Sequence, residues 1–390
     1  MQFIDLAAQQ LRIRADLEAR LKAVLDHNIY IMGPEVSELE EGLARFAGAK
    51  HGVGCASGTD ALLIALMAWG IGPGHAVFVP SFTFFATAET VALLGATPVM
   101  VDIDPVSFNM DPGSFEKALA AVEARDASIH PLPRQAKESK LQPRAVIFVD
   151  LFGQPADYDI LLPLAKKHGL FTLEDAAQAF GAEHRGRKTC ALGCDVGVTS
   201  FFPAKPLGAY GDGGALFTED DALAALFRSI LFHGKGQERY DHVRLGINGR
   251  LDTMQAAVLL SKMQIFPGEI QARQQVAQTY ARALASVPGL TLPRVSPHCL
   301  SVWGQYCILV AAGRRDELAA RLQEKNIPTA IHYPNPLHQV KAFQHLGYVP
   351  GDFPVALTCS REILALPCHP YLTEDETARV ADAVAEAMDR

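Results

Sequence analysis

The sequence predicts an α/β fold. A large domain would carry a mostly parallel, seven-stranded sheet flanked by helices, and a smaller C-terminal α+β domain would follow. Three observations predict this. Short β-branched runs alternate with amphipathic helical stretches through the first half of the chain. The near-continuous apolar run from Ala145 to Leu151 marks a strand buried on both faces. After Pro288-Gly289 the regular alternation stops. The division is placed at residues 1–255 for the large domain and 256–390 for connecting helices and the small domain.

The elements follow in order. His51 to Cys55 is a short apolar run and predicts a strand, with a helical pattern from Asp60 to Trp69. Ala76 to Val79 predicts a strand, Ala86 to Leu94 a helix, and Thr97 to Val101 a third strand. The segment Ala124–Arg144 breaks the rhythm. Pro131, Pro133 and Pro143 among Arg, Lys, Gln and Ser predict a surface excursion. The strand at Ala145–Leu151 comes next, then a helix from Asp157 to His168 and strands at Leu170–Leu173, Val196–Phe202 and Ala215–Thr218. From Asp252 to Ser286 the pattern is one long helix or a pair, with Pro267-Gly268 as the kink. Ser301–Val310 is strand-like, and Asp316–Lys325 and Asp375–Met388 are helical.

Composition excludes several classes of function. The chain has 390 residues, 49% hydrophobic and 20% charged, with a net charge of −8. No basic face is evident, which argues against nucleic acid as a partner. No apolar run reaches membrane-spanning length, and the N-terminus lacks the basic-then-apolar form of a signal peptide. Seven scattered cysteines fit a reducing cytoplasm. Cys190 and Cys194 have no second Cys/His pair close in sequence, so they read as ordinary thiols and no metal site is expected.

The chemistry is concentrated around Lys205. Ser200-Phe201-Phe202-Pro203-Ala204-Lys205 is followed by Gly211-Asp212-Gly213-Gly214, and Glu174-Asp175-Ala176-Ala177-Gln178 lies about thirty positions upstream. A lysine in a rigid, glycine-rich turn, paired with an acid at a strand end, suits pyridoxal phosphate (PLP). The amine bonds to the cofactor aldehyde, and the acid keeps the pyridine nitrogen protonated. A surface lysine would not require Pro203 and Pro206 on either side. Spacing alone leaves Glu174 and Asp175 as alternatives for the acid, and Asp175 would also serve as a helix cap. Ser57-Gly58-Thr59-Asp60, between a strand and a helix, offers an anion site for a phosphate, with Ser200 as a second hydroxyl. Ser81-Phe82-Thr83-Phe84-Phe85 offers an aromatic face. Gly70 to Gly74 has the wrong order for a dinucleotide fingerprint and reads as a loop. Asn248 and Arg250, and the group His332, Tyr333 and His338, are polar candidates in later loops.

These residues resemble the sugar-nucleotide aminotransferases of the DegT/StrS type, within the aspartate-aminotransferase-like PLP fold. The markers run from Phe3-Ile4-Asp5-Leu6 through Gly33-Pro34-Glu35-Val36, Ser57–Ala61, Thr83-Phe84 with Ala86–Glu89, Glu174–Gln178, Ser200–Lys205, Gly211–Gly214, Asn248 with Arg250, and His332–Pro334 with His338. The resemblance implies that Lys205 carries the covalent link to PLP and that Asp175, not Glu174, pairs with the pyridine nitrogen. It implies that Gln178 reaches the cofactor's phenolic oxygen and that Phe84 stacks on the ring. Gly58, Thr59 and Ser200 would hold the phosphate. Asn248 would reach the phosphate of the other subunit's cofactor, in a homodimer with shared sites. Arg250, His332, Tyr333 and His338 would face the substrate.

The chain is most similar to members that transfer an amino group from L-glutamate, giving 2-oxoglutarate, to the 3-keto position of UDP-linked 2-acetamido sugars. These act in O-antigen or lipid A pathways. The 3-oxo-glucuronate would need a cation for its carboxylate, with Arg239, Arg244 and Arg250 as candidates. None is fixed in a pocket by the sequence, which favours the neutral 3-oxo-glucose. The alternatives are a 4-keto sugar aminotransferase, a PLP-dependent sugar dehydratase, in which a histidine would stand in place of Lys205, and a non-catalytic PLP-binding regulator.

Overall fold

A computed structural model describes residues 1–390 apart from 239, 312 and 390. Seven strands form the central sheet. Edge to edge they run His51–Cys55, Gly214–Thr218, Val196–Ser200, Phe171–Asp175, Gln142–Val149, His75–Pro80 and Thr97–Val101. The five strands from Val196–Ser200 to Thr97–Val101 are mutually parallel. Gly214–Thr218 is antiparallel to both of its neighbours. Ala145–Val149 is buried throughout, as its unbroken apolar run requires for a strand covered on both faces. Helices Gly58–Ala68 and Ala86–Leu93 pack one face, and helices Pro112–Ala124 and Tyr158–Lys167 pack the other.

The predicted excursion at Ala124–Arg144 is corrected by the structure. It contains a short helix, Arg134–Glu138, and the central strand already begins at Gln142. Leu132, Ala136 and Leu141 are buried with Phe115, Leu119 and Val122. The His130 ring bonds to the Met100 carbonyl at 2.9 Å. Three apolar side chains spaced along a polar segment dock it, the buried leucines Leu132 and Leu141 contributing about 1.5–3 kcal/mol each.

The long helical segment is a pair, Thr253–Met263 and Phe266–Leu284. The break falls at Gln264-Ile265, not at Pro267-Gly268. Pro267 sits in the first turn of the second helix, where no intrahelical N–H bond is lost. The strand-like run from Ser301 is also shorter than expected, spanning Tyr306–Val310. That strand lies between Leu290–Thr291 and Ile363–Leu366 in an antiparallel sheet. Helices Arg315–Glu324 and Glu374–Met388 cover it with Leu318, Leu322, Val380 and Val384. Among the described residues, no helix is long and apolar enough to cross a membrane.

Candidate active site

The carboxyl ends of the parallel strands carry the site, as in other open α/β sheets. Asp175 is the last residue of Phe171–Asp175 and is buried. Its Oδ2 accepts from the Thr87 hydroxyl at 3.2 Å and its Oδ1 from the Ala177 N–H at 3.1 Å. Burial pushes its carboxyl above the usual range. The two donors and the Lys205 charge oppose that shift. Glu174 precedes it on the strand, so its side chain leaves the opposite face of the sheet. It is fully buried and accepts from the Cys190 N–H. The structure therefore separates two acids that spacing left equivalent.

Lys205 lies in the turn that follows Val196–Ser200. The turn is closed by Lys205 N–H to the Phe202 carbonyl at 2.8 Å, Phe201 N–H to Gly213 at 2.7 Å and Ala209 N–H to Phe201 at 2.7 Å. Burial holds the Lys205 amine below its ordinary pKa, and the Asp175 charge works against that shift. An amine whose proton burial loosens, and that faces a buried carboxylate, can act as a nucleophile and can take or give a proton.

The Ser200 end of the same strand meets the loop Ser57–Asp60. Helix Gly58–Ala68 starts there, with the Ser57 Oγ accepting from the Asp60 N–H at 3.0 Å. A side chain on Gly58 would place its Cβ 2.6 Å from the Ser200 Cβ. A side chain on Gly214 would place its Cβ 2.5 Å from the Ser57 carbonyl oxygen. Both glycines let three strand ends close around one helix N-terminus, where the exposed N–H groups and the Thr59 and Ser200 hydroxyls favour an anion.

A second group forms the opposite wall. The Gln178 Nε2 donates to the Tyr333 hydroxyl at 3.0 Å, and its Oε1 accepts from the Phe152 N–H at 3.0 Å. Tyr333 packs against Phe82 and Phe84, each with ring centroids 6.1 Å away. Phe84 is exposed. His332 lies beside them. Its Nε2 is buried without a hydrogen-bond partner, and burial together with the Lys205 charge lowers its pKa. The Leu337 N–H bonds to the Ser81 carbonyl at 2.7 Å and ties this segment to the aromatic loop.

Asn248 and Arg250 lie on the far side of Ser57. With Ile31, Asp60, Asp212 and Gln255 they line a cavity of about 570 Å³. The Asn248 Oδ1 accepts from the Arg250 Nε at 2.9 Å, and the Arg250 guanidinium sits 4.5 Å from the Phe232 ring centre. Arg244 donates to the Ser229 hydroxyl, and Arg239 lies outside the described residues. His338 is not brought to the Tyr333 group. Its ring is buried 4.9 Å from Phe353 and bonds to the Pro350 carbonyl at 3.3 Å. Sequence reasoning assigned no task to Thr87 or to the Phe152 N–H. Thr87 stands one helical turn from Thr83, and the two hydroxyls are 3.2 Å apart, a spacing that could have marked it.

This donor set fits PLP. It supplies an amine, a buried acid for a ring nitrogen, an exposed aromatic face and a glycine-cleared helix start for a phosphate, all at one end of the sheet.

Residues 11–385 match the DegT/DnrJ/EryC1/StrS aminotransferase family. The chain is 46% identical over 374 residues to a UDP-2-acetamido-2-deoxy-3-oxo-D-glucuronate aminotransferase of Pseudomonas aeruginosa, covering 95% of this chain and 96% of the relative. It is 40% identical to a dTDP-3-amino-3,4,6-trideoxy-alpha-D-glucose transaminase of Streptomyces venezuelae, covering 100% and 96%. A crystal structure of a DegT DnrJ EryC1 StrS aminotransferase from Brucella abortus superposes with a TM-score of 0.92 at 47% identity, covering 100% of both chains.

Proposed function

We propose a substrate and residue roles for this chain, which belongs to the DegT/DnrJ/EryC1/StrS aminotransferase family and is a PLP-dependent sugar-nucleotide aminotransferase. It moves the amino group of L-glutamate to the 3-keto carbon of a UDP-linked 2-acetamido-2-deoxy-3-oxo-hexose, with the 3-oxo-glucuronate as the preferred sugar. The observation that carries the chemistry is the pairing of Lys205, an amine with lowered proton affinity, with the buried carboxylate of Asp175.

Bound PLP supplies an electron sink for the carbanion formed when a C–H bond beside nitrogen breaks. The protein's own residues do the rest. Asp175, fixed by Thr87 and Ala177, would hold a proton on the ring nitrogen. Lys205 would bond to the cofactor when no substrate is present, and would take a proton at Nζ and return it when substrate binds. Gly58, Thr59 and Ser200 would hold the phosphate, Phe84 would cover one ring face, and the Gln178 amide would meet the phenolic oxygen. His332, Tyr333 and Arg250 would receive the sugar nucleotide.

The two named relatives differ in nucleotide, but both names place the nitrogen at carbon 3, which supports 3-keto over 4-keto chemistry. The glucuronate replaces the neutral sugar favoured from sequence because the P. aeruginosa relative shares 46% identity over nearly the whole chain. A homodimer with shared sites is supported by the exposed apolar run Ile29-Tyr30-Ile31-Met32 and by exposed Phe202, Val243 and Leu245. Ile31 lines the same cavity as Ser57 and Asn248.

The test supplies L-glutamate with UDP-linked 3-oxo-glucuronate, 3-oxo-glucose and 4-keto sugars, and reads the amine position by NMR. A 3-amino product formed fastest from the glucuronate is expected. Turnover of only the 4-keto sugar rejects the regiochemistry, and bound PLP whose absorbance never responds to glutamate points to a regulator.

A further inference from the structure

Glu174, the acid set aside when Asp175 was placed, is half of a second arrangement. Asp150 and Glu174 are both fully buried. The Asp150 Oδ1 accepts from the Ala156 N–H and the Tyr158 hydroxyl, both at 2.8 Å. The Glu174 Oε1 accepts from the Cys190 N–H. Their other oxygens, Asp150 Oδ2 and Glu174 Oε2, find no donor among the described groups. Phe148 pairs with Glu174 on adjacent strands, and Asp150, two residues further on, leaves the same face of the sheet, so the two carboxyls are neighbours that act on each other. Ionised carboxylates only accept, so such a contact requires a proton between them.

We propose that Asp150 and Glu174 share one proton at neutral pH, and that Asp150 is thereby a positioning residue for Asp175. The surroundings favour one negative charge over two. Arg187, exposed on the strand Arg187–Lys188, is the cation that acts on Glu174. The Tyr158 phenol and the Cys190, Cys194 and Cys299 thiols face the pair, and burial keeps all four protonated. Asp175 itself adds negative charge to this region. Burial raises both carboxyls of the pair, and two desolvated like charges cannot both ionise at ordinary pH.

The mechanical link is short. The Asp150 N–H donates to the Asp175 carbonyl at 3.0 Å, and Glu174 is the residue before Asp175 on the strand. A second charge at Asp150–Glu174 would therefore press on the strand end that holds Asp175. The consequence for Asp175 rests on its proposed role toward PLP, whereas the shared proton does not.

The experiment follows unfolding of the full-length chain by denaturant across pH, with and without PLP, beside an infrared measurement of carboxylic-acid C=O stretching. The folded state binds one more proton than the unfolded chain above the ordinary carboxyl range. The pair's own contribution to stability, read as the difference between wild type and Asp150→Asn at each pH, should thus fall as pH rises, by about tenfold in the unfolding constant per pH unit, until the pair ionises. In Asp150→Asn and Glu174→Gln this one-proton dependence and one carboxylic-acid band should vanish. Tyr158→Phe removes a donor to the ionised form, so the midpoint should move to higher pH, and bound PLP should survive dialysis to higher pH as well. A merely structural role for Tyr158 would weaken retention at every pH. A wild-type infrared spectrum without a carboxylic-acid band at neutral pH, or unfolding profiles parallel in wild type and Tyr158→Phe, overturns the proposal. A pair midpoint that shifts while PLP retention does not overturns the positioning of Asp175 and leaves the cofactor assignment to the Lys205 variant.

Discussion

Gly58 and Ser200 meet across the site so closely that a methyl group on residue 58 would lie 2.6 Å from the Ser200 Cβ. Real Cβ atoms do not approach other carbons so closely, so Gly58→Ala must push the helix start away from the strand end. Overpacking of this kind costs about 1–3 kcal/mol. The larger effect should fall on the proposed phosphate cradle. Equilibrium dialysis should show PLP affinity reduced at least about tenfold, beyond any fall in melting temperature. Unchanged PLP affinity would remove the cradle from this corner.

Lys205 is proposed to move the proton. Lys205→Ala should lower the rate of the L-glutamate half-reaction by at least about 10²–10⁴-fold, the span typical of general acid–base groups. Stopped-flow absorbance of the PLP-loaded protein measures it. The variant should fold normally, because burial makes the Lys205 ammonium a cost in the folded state. Near-normal turnover would displace Lys205 from its role.

How far the sequence showed this site depends on what each residue answers to. Lys205, Asp175 and Gly58 sit where chain direction alone decides: strand ends, a proline-bracketed turn and a helix start leave local marks. Thr97–Val101 and His51–Cys55 appear with the bounds their apolar runs suggested. The Arg134–Glu138 helix did not show, because its burial comes from Phe115 and Leu119 on another element. His338 misled for the same reason. Its spacing from Tyr333 suggested a partner, but the 3-10 turn Leu337–Gln339 aims the ring at Phe353. Glu174 and Asp175 could be told apart only by knowing which face of the sheet each one enters.

Acid should destabilise the protein through its histidines. His130, His332, His338 and His369 are each held below the ordinary imidazole value of 6.5, in every case chiefly by burial. The folded state favours their neutral form more than the unfolded chain does, which protonates near 6.5. Unfolding therefore takes up protons, and stability is lost as pH falls through and below that value. Denaturant titrations between pH 5 and 7.5 should show the histidine contribution to stability falling toward acid. His338→Phe should weaken that dependence, since Phe can keep the packing on Phe353. An unchanged slope in that variant would mean that His338 is already charged in the fold.

Lys262 offers the reverse case, a buried cation that the fold carries at a loss. It lies on helix Thr253–Met263 and is fully buried. Its Nζ finds no hydrogen-bond acceptor among the described residues and sits 4.4 Å from the Tyr210 ring centre. Burial lowers its pKa to about 8, with Glu269 opposing the shift. Glu269 does not depend on it, because Gln9 donates to both its oxygens at 2.9 and 3.2 Å and the Tyr371 hydroxyl donates as well. Between about 8 and the ordinary lysine value of 10.5 the unfolded chain holds a proton that the folded state has lost, so stability rises with pH across that window. Below it the protein bears a constant penalty on the order of 1–3 kcal/mol. Lys262→Met keeps the aliphatic stem and removes the charge. It should raise stability at pH 7 by that amount, show no gain above pH 10.5, and flatten the dependence between the two. Denaturant midpoints at pH 7, 9 and 10.5 decide the matter, and a variant less stable than wild type at pH 7 would mean that the ammonium over Tyr210 holds this helix to the loop that carries Tyr210.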